Sequence, residues 1–149
     1  MYFIFLHISM QYQKYEDLVF IRLDENENLI ESLKKVCMEL ETVTAVILSG
    51  VGQLQRVKIG YYKEKDNYFP QEYKERFELL SITGTIIKQD DEYKPHIHVV
   101  LGREDKTTIG GHLLEGIIGV TGEVILKLSE MEIKRRYNPN TGLQEMMFI

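Results

Sequence analysis

Between residues 16 and 41 the spacing of apolar positions changes from that of a strand to that of a helix. The stretch EDLVFIRL, Glu16 to Leu23, is dense in branched and aromatic side chains and predicts a strand. Beyond it Leu29, Leu33, Val36, Cys37 and Leu40 recur at helical spacing, with Glu31, Lys34, Lys35 and Glu39 on the other faces. Asp24, with Glu27 three positions later, forms a variant of the capping-box pattern: an acceptor ahead of a helix and a carboxylate reaching back. One amphipathic helix is expected from about Glu25 to Glu41. TAVILSGVG then reads as a short buried strand leaving through a tight turn at Gly50-Val51-Gly52, and QLQRVKIGYYK as the strand that follows. These glycines lack the remaining glycine and the following helix of a phosphate loop. RFELLSITGTIIKQ is extended, with Gly84 placed for a bulge or bend. DDEYK is a polar turn and PHIHVVLG the returning strand. GIIGVTGEVILKLSEM supplies another long strand, and EIKRRY and LQEMMFI flank NPNTG, a hairpin signal. Seven or eight strands with one prominent amphipathic helix predict an α+β domain, mainly antiparallel β-sheet.

Composition narrows the classes. At 149 residues the chain has the length of one domain, 1–149, able to bury one core. The single cysteine, Cys37, excludes an internal disulfide and reads as a buried helix thiol. The start, MYFIFLHISM, is too short for a membrane span, which needs ~20 apolar residues, and lacks a basic leader and cleavage site. It reads as a strand, and the expected location is the cytoplasm. The net charge of −5 weighs against nucleic acid, since a phosphate-binding surface needs clustered cations. Lys134-Arg135-Arg136 is the one dense basic run.

Three of the four histidines, His96, His98 and His112, fall within PHIHVVLGREDKTTIGGHL. On a strand His96 and His98 project to one side, their Cβ atoms roughly 6.5–7 Å apart, close enough to converge on one ion. His112 joins them if the chain folds back through Gly110-Gly111, whose glycines permit close approach. Three neutral imidazoles with an open position suit zinc or another divalent transition metal. Equally, a His-x-His pair can serve as a polar contact in a sheet or subunit boundary. His7 reads as structural. Glu104, Asp105 and Glu115 are nearby carboxylates, either solvated or acting as ligands or general bases. A His-x-His strand followed by Glu also suggests a cupin barrel, but Glu104 comes late and the early helix does not suit a jelly roll. No Gly-x-Ser-x-Gly elbow, dinucleotide fingerprint or phosphate-loop lysine assigns a reaction, so enzyme status stays open.

The order of FIRLDENENLIESLKK, AVILSGVGQLQRVKIGYY, RFELLSITGTI, PHIHVVLG, GGHLLEG and GEVILKL resembles the plants-and-prokaryotes-conserved domain, the domain that accompanies AT-hooks in plant nuclear proteins. The match spans about Leu18 to Leu128. It implies a compact domain with an antiparallel sheet, assembled as a homotrimer, and a family label of predicted DNA-binding protein. The Arg-Gly-Arg core of an AT-hook is absent from the chain. His96, His98 and His112 match positions that prokaryotic members fill with histidine. Glu123 matches an acidic position in an apolar strand, where a carboxylate is expected to have a partner such as a histidine or Arg76, or to act as a ligand. Three functions follow. The first is a trimeric binding protein with a three-histidine site for a metal or small ligand. The second is a DNA-associated protein meeting phosphate through Lys134, Arg135, Arg136 and Arg56 or Lys58. The third is a metal-dependent hydrolase with Glu104 or Glu115 as base.

Overall fold

The computed structural model describes residues 9–149; residues 1–8 of the apolar start read as a strand, and His7 with them, lie outside the described residues. The elements run β1 (Gln11–Tyr15), β2 (Leu18–Asp24), α1 (Leu29–Glu39), β3 (Thr44–Glu64), β4 (Asn67–Tyr73), β5 (Phe77–Gln89), β6 (Glu92–Gly102), β7 (Thr108–Ser129), β8 (Ile133–Asn138) and β9 (Leu143–Phe148). Seven strands form one sheet in the order β1-β2-β7-β6-β5-β3-β4, and β3 also pairs with β7. The sheet therefore closes on itself through β7, β6, β5 and β3. All its pairings are antiparallel, and β8 and β9 form a separate two-stranded sheet. This is the expected α+β domain.

The core lies on the inner side of that closed sheet. Ile82 and Ile86 of β5, Ile97, Val99 and Leu101 of β6 and Leu113 and Leu126 of β7 are buried with Leu29, Leu33, Val36 and Cys37 of α1. Burying each large aliphatic side chain contributes roughly 1.5–3 kcal/mol. Ile87 and Ile133 are also buried but belong to no part of that cluster, because the β8–β9 hairpin folds over the outer face of β5. Among the described residues no helix is long and apolar enough to cross a membrane.

Several expectations shift in the structure. The helix begins at Leu29, not Glu25, because Asn28 is its N-cap: the Glu31 amide donates to Asn28 Oδ1 at 3.1 Å. Glu27 does reach back, accepting from the Asp24 amide at 2.7 Å, but it closes a turn ahead of the helix. At the far end Leu40 is the C-cap and Glu41 adopts φ 50°, so the helix stops at Glu39. The turn expected at Gly50-Val51-Gly52 is absent. Gly50, Val51 and Gly52 pair with Val124, Glu123 and Gly122 of β7, so both predicted strands are one 21-residue strand with register shifts on either side. β1 and β4 complete hairpins that the apolar pattern does not mark, since neither strand has a fully buried position.

Candidate metal centre

The site begins with a turn. Asp90 and Asp91 have φ of 53° and 59°, the left-handed conformation of a two-residue primed hairpin turn, so Gln89 faces Glu92 across the loop. That register carries inward to place Thr85 opposite His96 and Thr83 opposite His98. Directly opposed residues share a face, so both threonines and both histidines stand on one side of the sheet. Ile97 and Val99, between and beyond the histidines, point into the core at 1% and 3% exposure. Strand alternation thus fixes which way the imidazoles face. Gly84 sits between the threonines at φ 142°, and a Cβ there would meet the His96 carbonyl oxygen at 2.0 Å. It permits close backbone approach, while the bulge in this pairing falls between Leu79 and Ser81.

His112 arrives on β7 directly opposite His98. The fold-back is made by residues 103–107, where the Arg103 amide donates to the Thr107 carbonyl at 2.8 Å. Gly110 and Gly111, expected to form that turn, lie within β7 opposite Val100 and Val99. On its other side His112 pairs with Gly60 of β3, and the Tyr68 ring occupies the space where a Gly60 side chain would stand. Tyr68 therefore flanks the histidines from β4.

The three rings enclose one point. One ligand nitrogen from each histidine lies within 4.8 Å of the others, and no carboxylate or thiol of the described residues joins the group. Ring centroids are 5.2–5.3 Å apart. His96 Nε2 and His98 Nε2 are 3.2 Å apart. Tetrahedral zinc with bonds of ~2.0–2.1 Å holds its nitrogens about 3.3 Å apart, so this pair already has chelating separation. Burial holds the pKa of His96 and His112 below the ordinary value; Arg135 and His98 add to the effect at His96, and the other two histidines add to it at His112. Both rings are thus neutral near pH 7, the form that binds metal. Beside His98 lies an open depression of about 330 Å³ lined by Ser81, Thr83, Val99, Val100, Gly110 and Gly111.

The other candidate residues distribute around this centre. Glu104 is exposed in the loop between β6 and β7. Asp105 accepts from the Thr107 amide and hydroxyl, at 2.9 and 2.6 Å. Glu115 pairs with Arg56 at 3.0 Å, and Arg56 also faces Glu72 at 3.9 Å. Glu123 needs no buried partner because it is exposed, opposite Arg22 on β2. Arg76 instead faces Glu25 at 3.7 Å and donates to Gln53 Oε1 and the Gly119 carbonyl. Cys37 is buried away from the histidines in α1, its thiol pushed up to about 12 by desolvation, which removes it as a nucleophile. The basic run divides: Lys134 and Arg136 are exposed, whereas half-buried Arg135 donates from Nη2 to Thr85 Oγ1 at 3.2 Å. Thr83, Thr85 and Tyr68 were not legible as site residues. The Asp-Asp turn would have given the first two, because it fixes the β5–β6 register.

Known proteins share this architecture. A crystal structure from Bacteroides thetaiotaomicron, named a "putative dna binding protein", is 25% identical with a TM-score of 0.88, covering 95% of this chain and 99% of that one. A metal-containing protein from Archaeoglobus fulgidus is 27% identical with a TM-score of 0.79, covering 94% and 99%. A plant- and prokaryote-conserved protein from Pyrococcus horikoshii is 30% identical with a TM-score of 0.77, covering 94% and 96%. Among curated proteins, the bifunctional protein GlmU of Synechococcus sp. (strain JA-3-3Ab) is 27% identical over 128 residues, 85% of this chain. The chain covers only 20% of that relative's length. The family described as the Plants and Prokaryotes Conserved (PCC) domain matches residues 10–129. By fold, motif order and this match, the chain belongs to the Plants and Prokaryotes Conserved domain family.

Proposed function

We propose that the protein is a trimeric binding protein that holds a divalent transition metal, zinc foremost, between His96, His98 and His112. The convergence of three imidazole nitrogens within 4.8 Å carries this reading. The donor set fits: neutral nitrogen ligands suit zinc and its neighbours, and three of them leave a coordination position open. An ion there would supply Lewis acidity to whatever occupies that position. The Archaeoglobus fulgidus relative, metal-containing by name, supports the same reading. Mass spectrometry of tag-free protein should find near-stoichiometric metal, lost in a His96→Ala/His98→Ala variant that keeps its assembly by light scattering. Absence of metal from wild-type protein purified without chelator, or its retention in that variant, sinks the reading.

Association with DNA is a second reading, favoured by the name of the Bacteroides thetaiotaomicron relative and by the exposed cations Lys134 and Arg136. Fluorescence anisotropy with duplex DNA tests it. Replacing both cations with alanine should flatten the log–log salt dependence by about 0.9 for each phosphate no longer neutralised. Equal slopes, or no binding at low salt, exclude this surface.

A further inference from the structure

We infer that the open position of the three-histidine centre takes a small anion, a carboxylate- or phosphate-bearing molecule that would also meet the guanidinium of Arg135. This rests on the metal-binding reading and adds the chemical class of the ligand.

Arg135 is held in a fixed attitude. Its amide donates to Gln89 Oε1 at 2.7 Å and its carbonyl accepts from Gln89 Nε2 at 3.3 Å, so one glutamine side chain clamps this point of β8 onto the end of β5. Alternation along β8 turns Lys134 and Arg136 outward and Arg135 toward the sheet. Its Nη2 rests on Thr85 Oγ1, and Thr85 is the residue directly opposite His96. The guanidinium thus approaches the histidines over the outer face of the sheet.

No carboxylate answers that charge. Among the described residues half-buried Arg135 and exposed Arg136 take part in no ion pair, while Arg22, Arg56, Arg76 and Arg103 each do. Residues 1–8 contain no acid. The ligand group contains no acidic side chain either. A divalent ion there would keep its full charge beside a guanidinium, and a half-buried accumulation of positive charge calls for a counter-ion.

The surroundings offer room and donors. The depression beside His98 is about 330 Å³ and includes Ser81 and Thr83, whose hydroxyls can donate to anion oxygens. Arginine's planar fork matches carboxylate and phosphate oxygens in pairs, which a solvated lysine does not. Val100 and the backbone of Gly110 and Gly111 complete its exposed lining, which suits a small molecule with a short apolar part.

The test uses the full chain loaded with cobalt(II), whose visible absorption reports its ligands. Acetate and inorganic phosphate are titrated separately at constant ionic strength, with chloride as control. For wild type, one or both should change the spectrum saturably where chloride does not; the two arms tell carboxylate from phosphate. Arg135→Gln should keep its cobalt, measured by chelator competition, and weaken anion binding about 10- to 100-fold, the range for losing a charge-assisted hydrogen bond. Thr85→Val, which keeps the charge but frees the guanidinium, should show a smaller loss in the same direction. It carries the test if circular dichroism shows Arg135→Gln misfolded. Bound cobalt with no response to either anion, or equal anion affinity in the variants, overturns the anion proposal and leaves the metal reading intact. A wild type without cobalt absorption removes both.

Discussion

At the scale of residues, the site depends on rings that stay uncharged. Desolvation is the first cause of the lowered pKa at both His96 and His112, but Arg135 acts only at His96. In metal-free protein both rings should titrate below the free-imidazole value of ~6.5, measurable from their ring-proton NMR shifts. Arg135→Gln should raise the His96 midpoint and leave His112 nearly unmoved; equal movement would mean the guanidinium is not beside His96. The sign for stability follows. A group with a depressed folded pKa stabilises the fold fully above its unfolded pKa, and that contribution is lost as pH falls through the folded value. Metal-free protein should therefore weaken on acidification below about pH 6.5. Much of this chemistry was legible, because period-two spacing alone puts His96 and His98 on one face. The separation of Arg135 from its two basic neighbours was not. Three consecutive cations look alike until the strand and its packing partner are known.

Among the elements, positions of similar backbone sensitivity should separate stability from binding. Asn28 caps α1, away from the histidines, and Asn28→Ala should cost about 1 kcal/mol in urea unfolding without changing metal affinity. Gly84→Ala forces a side chain into left-handed backbone against the His96 carbonyl. It should cost at least 1–3 kcal/mol, about the strain of a disfavoured backbone position, and weaken metal binding by shifting β6. Retained affinity in that variant would show that the β5–β6 spacing does not set the site. The same contrast explains which elements could be read in advance. α1 announces itself because its apolar positions repeat every third or fourth residue. The continuity of β3 did not, because Gly50 and Gly52 carry the local signature of a turn while hydrogen bonds to β7 hold them straight. That pairing is a long-range property of the chain. β1 and β4 have no buried face pattern to betray them, and the β5–β6 register waited on assigning Asp90-Asp91 as the turn.

For the whole molecule, the outer face beyond the site exposes large apolar side chains. Val100 stands two residues beyond His98 and Leu114 two beyond His112, at 44% and 38% exposure, with Leu80 nearby at 51%. Clustered apolar surface rimmed by polar groups marks an interaction surface. With the proposed trimer in view, wild-type protein should run at three times the chain mass by light scattering, and Val100→Asp/Leu114→Asp should run as monomer. A monomeric wild type, or a trimeric double variant, would place the subunit contact elsewhere or remove it.

The route by which the sheet closes also sets an order in time. Thr83, Thr85, His96, His98 and His112 all lie within β5, β6 and β7, three successive strands joined by short loops. Contacts so near in sequence form early, hairpins within about 1–10 μs. Closure of β3 onto β7, which joins Thr44 to Ser129, spans far more chain and is slow for that reason. On that separation alone the histidine cage could assemble while the sheet is still open, and the contact of Arg135 with Thr85, 50 residues apart, would follow. During synthesis the three histidines emerge before Arg135, so the proposed metal could be held before the proposed anion.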